Sequence, residues 1–154
     1  AGNVSGGTVT GNAANGTGVN VTGDSTLTDV ALKGTTTSGT GVSVGGDLSS
    51  SNTTITGNAS DNGSGVLLTG RVIGDDTEKN VLTGSSAQGD GLIVSGEPAV
   101  TKVTLNGNSE DGGGIKVTGN LTANETVVNG NATGSGNGIS LAGNISGGQW
   151  TGDA

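Results

Sequence analysis

A six-residue phrase, Gly-[Val/Ile/Leu]-x-[Val/Leu]-x-Gly, recurs along the chain at 18–23, 41–46, 65–70, 91–96, 114–119 and 138–143. Its opening glycines lie 23, 24, 26, 23 and 24 residues apart. A period in this range marks a repeat architecture. No single unit can bury its apolar side alone, so each is completed by its neighbours.

Within a unit the apolar residues alternate. Ile115, Val117 and Leu121 share one side, as do Val103 and Leu105. Alternation in steps of two, rich in β-branched residues, is strand patterning. Frequent glycine and β-branching both disfavour helix. A third glycine follows the second by 11 residues at Gly34, Gly57, Gly107 and Gly130, and a polar stretch then leads to a further glycine, as at 107–112. Short strands joined by glycine-bearing turns describe one lap of a parallel β-helix. The expected fold is all-β: a β-helix solenoid of about six and a half coils of about 24 residues, with 1–154 a single repeat segment. Equivalent residues should then stack into internal columns, for example Val19, Val42, Val66, Leu92, Ile115 and Ile139.

Composition agrees with a rod. There are 34 glycines, one proline and one tryptophan, and no Cys, His, Met, Phe or Tyr. Without aromatic side chains a compact globular core is hard to fill. So polar a composition would ordinarily suggest disorder, but a disordered segment has no reason to place valine at fixed offsets. The net charge of −8 opposes nucleic acid, which needs a basic stripe, and anionic lipid. No apolar run approaches membrane-spanning length, so neither nucleic acid nor membrane insertion is expected.

Catalytic chemistry is poorly supplied. Lack of His and Cys removes the common bases, thiol nucleophiles and soft metal ligands. The adjacent carboxylates Asp75-Asp76 and Glu110-Asp111 fall in turn-like segments with no counterpart in neighbouring units, which weakens a polysaccharide-cleaving reading. The glycine-rich stretches do not form calcium-binding nonapeptides. No catalytic, cofactor or metal site is expected. Thr-x-Thr pairs occur at 8/10, 26/28, 35/37 and 54/56, but at offsets that differ between units, which argues against a single threonine column of the ice-binding kind.

Three departures from the plain repeat carry information. The unit opening at Gly65 is longer, and the excess falls within 71–80, the densest charge cluster. Insertions in solenoids become loops, and loops often carry recognition. Arg71, Asp75, Asp76, Glu78 and Lys79 are therefore the candidate recognition loop, with a solvated turn as the plainer alternative. Residues 1–11 and 142–152 match at eight of eleven positions, and both shorten a glycine interval to nine, which implies one block of about 141 residues from a longer array. Finally, ten of sixteen asparagines begin Asn-x-Ser/Thr, although only 39 of 154 residues are Ser or Thr. They are Asn3, Asn15, Asn20, Asn52, Asn58, Asn62, Asn120, Asn124, Asn131 and Asn144. Such sequons suit N-linked sugar on exposed loops, while asparagine also suits left-handed turns and ladders. Asn12, Asn58, Asn108 and Asn131 share the slot after the third glycine, where an internal asparagine ladder is the favoured reading.

The Gly-[Val/Ile]-x-[Val/Leu]-x-Gly units, the Gly/Thr/Asn/Ser-rich turns, the absence of cysteine and the longer repeat together resemble the two-partner-secretion exoproteins of bacteria. These are the filamentous-haemagglutinin-like adhesins, including the high-molecular-weight and EtpA types. The resemblance implies a right-handed parallel β-helix, secreted or displayed on a Gram-negative cell surface. It further implies attachment to a host-cell glycan or protein receptor, a virulence role, modification at Asn-x-Ser/Thr, and a monomeric rod without catalysis. A spacer in a contact-dependent toxin-delivery filament of similar build is the nearest rival, and a polysaccharide-active β-helix enzyme a more distant one.

Overall fold

The computed structural model describes residues 2–154, and among them every regular element is a strand. In chain order these are β1 (Gly2–Ala13), β2 (Thr17–Val21), β3 (Ser25–Thr36), β4 (Thr40–Val44), β5 (Leu48–Ser51) and β6 (Thr54–Ala59). Next come β7 (Ser64–Leu68), β8 (Val72–Gly74), β9 (Val81–Ser86), β10 (Leu92–Gly96) and β11 (Ala99–Thr101). The chain ends with β12 (Thr104–Ser109), β13 (Ile115–Gly119), β14 (Leu121–Ala132), β15 (Ile139–Ala142) and β16 (Ile145–Asp153). All pairings are parallel, and each joins a strand to its equivalent one lap away. The molecule is a β-solenoid of about 7 turns of ~23 residues.

Each lap carries three strand segments. Face one is the six-stranded sheet β15-β13-β10-β7-β4-β2, built from the recurring glycine-flanked phrase. Faces two and three belong to the ten-stranded sheet: β5, β8 and β11 lie in face two, and β6, β9 and β12 in face three. The long strands β1, β3, β14 and β16 run through both. The pairing Val19↔Val42↔Val66↔Leu92↔Ile115↔Ile139 is the column anticipated from sequence. Its four central members are fully buried. A facing column on face three runs Val9, Leu32, Ile55, Leu82, Leu105, Val128 and Trp150, placing the single tryptophan half-buried over one end of the core. Burying an aliphatic side chain of this size contributes about 1.5–3 kcal/mol, and every interior turn draws on the turns above and below to do so.

Two glycine columns set the thickness of the rod. The third glycines Gly34, Gly57, Gly84, Gly107 and Gly130 lie against the carbonyl groups of the phrase-opening glycines Gly41, Gly65, Gly91, Gly114 and Gly138. A Cβ on any of them would fall well inside van der Waals contact with that carbonyl oxygen. Faces one and three thus meet backbone to backbone, which explains why the glycine spacing is stricter than the identity of the aliphatics.

Between faces two and three the chain turns through a left-handed residue. Asp29 (φ 54°), Asn52 (φ 46°), Lys102 (φ 52°) and Glu125 (φ 46°) each stand five residues before a third glycine. Gly6 (φ 70°) takes the same place opposite Asp29, and Gly148 (φ 77°) faces the corner held by Glu125. Asparagine and aspartate tolerate this region, whereas lysine and glutamate adopt it at a cost of about 1–2 kcal/mol. The turn containing 71–80 replaces this corner with its insertion.

The register also revises three sequence expectations. Asn12, Asn58, Asn108 and Asn131 do share one column, but it lies on the outer surface and is interrupted by Thr35 and Ser85. In period-two geometry the inward side chains there are those of the flanking residues, Ala59, Ser86 and Ser109 among them. Thr8/Thr10 and Thr54/Thr56 do fall in common columns, broken by Ala31 and Lys33, because register counts from the third glycine and not from the first. The two nine-residue glycine intervals are not equivalent: Gly2 pairs with Ser25, whereas Gly143 stands over Gly119. In the last turn the single residue Gly148 faces the three residues between Ala123 and Val127, which accounts for the shortening.

Two substitution pairs test this register. Val117→Asp, at a position 1% exposed, should destabilise by about 3–5 kcal/mol in denaturant melts. Lys116→Asp, on the outer side, should cost under about 1 kcal/mol. Gly57→Ala should lower the melting temperature strongly, because its Cβ meets the Gly65 carbonyl, whereas Gly45→Ala has only ordinary contacts, at 3.7 and 3.8 Å, and should fold normally.

Candidate binding surface

Function in a filled solenoid must lie on outward side chains and on departures from the repeat. The insertion is the largest departure. Instead of projecting freely, it lies across the neighbouring turns as a strap. Ser51 Oγ, from the preceding turn, donates to Asp75 Oδ2 at 2.6 Å. Thr77 Oγ1 donates to the Glu125 carbonyl, two turns onward, at 2.8 Å, and Thr104 Oγ1, from the turn between, donates to the Thr77 carbonyl at 3.0 Å. Four successive turns are thereby joined at one corner.

Beneath the strap sits Asn80, fully buried in the interior column otherwise held by Val30, Thr53, Val103 and Thr126. Its amide nitrogen donates to Asp75 Oδ1 and to the Asp76 carbonyl, both at 2.8 Å, and its oxygen accepts from the Thr53 N–H at 3.3 Å. A buried amide is tolerated only when satisfied in this way. The Ser51 hydroxyl, followed by the Asn80 amide, holds the Asp75 carboxyl below the ordinary aspartate value.

Of the candidate recognition residues, Asp75, Asp76, Glu78 and Lys79 lie in the strap. Glu78 and Lys79 are its exposed tip, and Lys79 Nζ lies 3.7 Å from Asp76 Oδ2. Arg71 lies outside the strap. It belongs to the corner column Asp24, Asp47, Arg71, Glu97, Asn120 and Asn144, one residue past each second glycine. There it contacts Asp47 at 2.6 Å with both side chains about half exposed, so the pair contributes little stability. Sequence reasoning missed the left-handed corner and the internal role of Asn80; the offset of each from the third glycine was the available signal.

The sequon asparagines are spread around the rod. Asn3 lies on face two, Asn20 on face one, and Asn58 and Asn131 on face three. Asn15 and Asn62 sit in the loops leading back to face one. All ten are exposed except Asn131, which is half-buried. Three have local structural partners: Asn52 Nδ2 donates to Asp29 Oδ1 (2.7 Å), Asn120 Nδ2 to Glu97 Oε1 (3.0 Å), and Asn144 N–H to Asn120 Oδ1 (3.3 Å). Asn124 differs from the rest. Its sequon threonine, Thr126, is 2% exposed, and the hydroxyl donates to the carbonyls of Val100 and Asn124.

Among the described residues no group of three or more acidic side chains could hold a metal ion, and no helix is long and apolar enough to cross a membrane. No protein-family model, curated protein or solved structure matches the chain.

Asn80→Ala should cost about 2 kcal/mol, since it strands buried backbone groups, and should open 75–80 to limited proteolysis. Because the folded Asp75 carboxyl is the more acidic, its contribution is present above 3.8, the ordinary value, and is lost as pH falls through the lower folded value. Proteolysis of the strap should therefore rise in strong acid, and Asp75→Asn should abolish that response.

Proposed function

We propose that this chain is a shaft segment of a secreted adhesin on a Gram-negative bacterial surface, serving attachment to a host-cell glycan or protein receptor and carrying no catalysis. The observation that carries this reading is the division of labour in every turn. Inward positions are spent on aliphatic columns, while outward positions form polar ladders that run along the rod and place ten sequon asparagines on its surface. A solenoid built in this way presents a long side surface and no enclosed reaction chamber. The resemblance of its units to filamentous-haemagglutinin-like proteins supports the secreted, surface-displayed setting.

A spacer in a toxin-delivery filament is the second reading. It is favoured by the strap, whose side chains are engaged mainly with the rod itself. The two separate on a cell-retention assay with fluorescently labelled chain. Saturable retention on epithelial cells supports adhesion; retention no greater than that of an unrelated solenoid supports spacing and removes the adhesive reading.

Glycosylation in the native host is part of the proposal. Intact-mass and peptide mapping should find sugar-bearing asparagine at several of Asn3, Asn15, Asn20 and Asn62, and an unmodified Asn124, because its Thr126 hydroxyl is enclosed. A mass equal to that of the bare chain would remove it.

A further inference from the structure

A concavity of about 550 Å3 follows the seam where face three bends into the loop returning to face one. Its lining repeats by turn. The floor comes from the small residues two past the third glycine: Ala13, Thr36, Ala59 and Ser86. The Thr36 and Ser86 hydroxyls point away from the groove, onto the carbonyls of Gly16 (3.2 Å) and Gly63 (2.7 Å). The walls carry Thr37, Asn58, Ser60, Ser85 and Glu110. Among the described residues, the side chains of Thr37, Asn58, Ser85 and Glu110 have no hydrogen-bond partner, so a row of hydroxyl, amide and carboxylate groups faces solvent.

From these features we infer that the groove binds an uncharged glycan strand laid along the rod axis. The inference rests on the adhesive reading above and names the ligand class for it. A peptide strand is poorly served here, because the wall N–H groups are already spent between turns: Thr37 to Ala14, Ser60 to Thr36, Ala87 to Ala59 and Glu110 to Ser86. Apolar ligands find neither an aromatic ring nor a large aliphatic side chain in the lining. Anionic glycans meet Glu110, the one charged group in the groove among the described residues, on a chain of net charge −8. What remains is a neutral, hydroxyl-rich polymer that exchanges hydrogen bonds with hydroxyls and amides. The groove spans turns from Ala13 to Glu110, four steps of about 4.8 Å, or roughly 20 Å. One sugar ring of an extended chain advances by about one such step, so successive rings meet equivalent positions.

The test uses unmodified chain, since sugar on Asn58 would fill the groove. Amide NMR titrations with cellohexaose, maltohexaose and chitohexaose are compared with a heparin hexasaccharide. At least one neutral hexasaccharide should shift the amides of 35–37, 58–60 and 85–87 while leaving 42–44 unmoved, and heparin should shift none. The triple variant Asn58→Ala, Ser60→Ala, Ser85→Ala, with its core amide spectrum checked for retained fold, should bind about tenfold more weakly. Thr26→Ala with Ser49→Ala, on face two, should bind unchanged. Silence with all three neutral sugars, binding of heparin in the groove, or undiminished binding by the triple variant overturns the inference. Cells that retain the chain while the groove stays silent leave adhesion standing without it. Hexasaccharide binding without cell retention leaves the groove standing and removes the adhesive role.

Discussion

The seam where two columns of glycine bring faces one and three into backbone contact is the constraint on which the other features depend. With no side chain at either position, the carbonyl of Gly65 occupies the space a Cβ on Gly57 would need, and the same holds from turn to turn. That approach fixes how wide the interior can be. It leaves room for one layer of Val, Leu and Ile on each side and explains why a core without phenylalanine or tyrosine can still be filled. The single tryptophan, Trp150, stands in one of these columns, half-buried against the aliphatic core.

Much of this architecture was legible because the interior is written in fixed offsets. The column from Val19 to Ile139 could be read directly, since each member follows a phrase-opening glycine. The outer surface was harder to read, because counting from the wrong glycine displaces a residue from its true neighbours. That error separated Thr8/Thr10 from Thr54/Thr56 and put the Asn58 column inside when the period-two pleat turns it out. The left-handed corner was invisible to composition-based reasoning because Lys102 and Glu125 are not residues that advertise positive φ. The stacked turns impose the conformation, and local preference yields to them.

The insertion shows how a solenoid absorbs an irregularity. Extra residues could have looped into solvent, leaving a hole in the column below. Asn80 fills that place instead, and its amide is satisfied by Asp75, Asp76 and Thr53. A polar residue thus does at this turn what Val103 does at a later one, at the cost of a network in which every partner is needed. The charged residues that make the segment conspicuous in the sequence owe part of their presence to this internal role, which leaves Glu78 and Lys79 as its outward-facing charges.

Hydrogen bonds between turns point along the rod, so a pull on its two ends loads them in the direction in which they separate. Such a filament peels lap by lap and does not yield all at once. A cross-brace that skips a lap resists that failure differently, since opening one gap must also break a bond anchored beyond the next. The Thr77–Glu125 link, with Thr104 tied in between, has that form. Under shear the turns it bridges are held together longer than their unbraced neighbours.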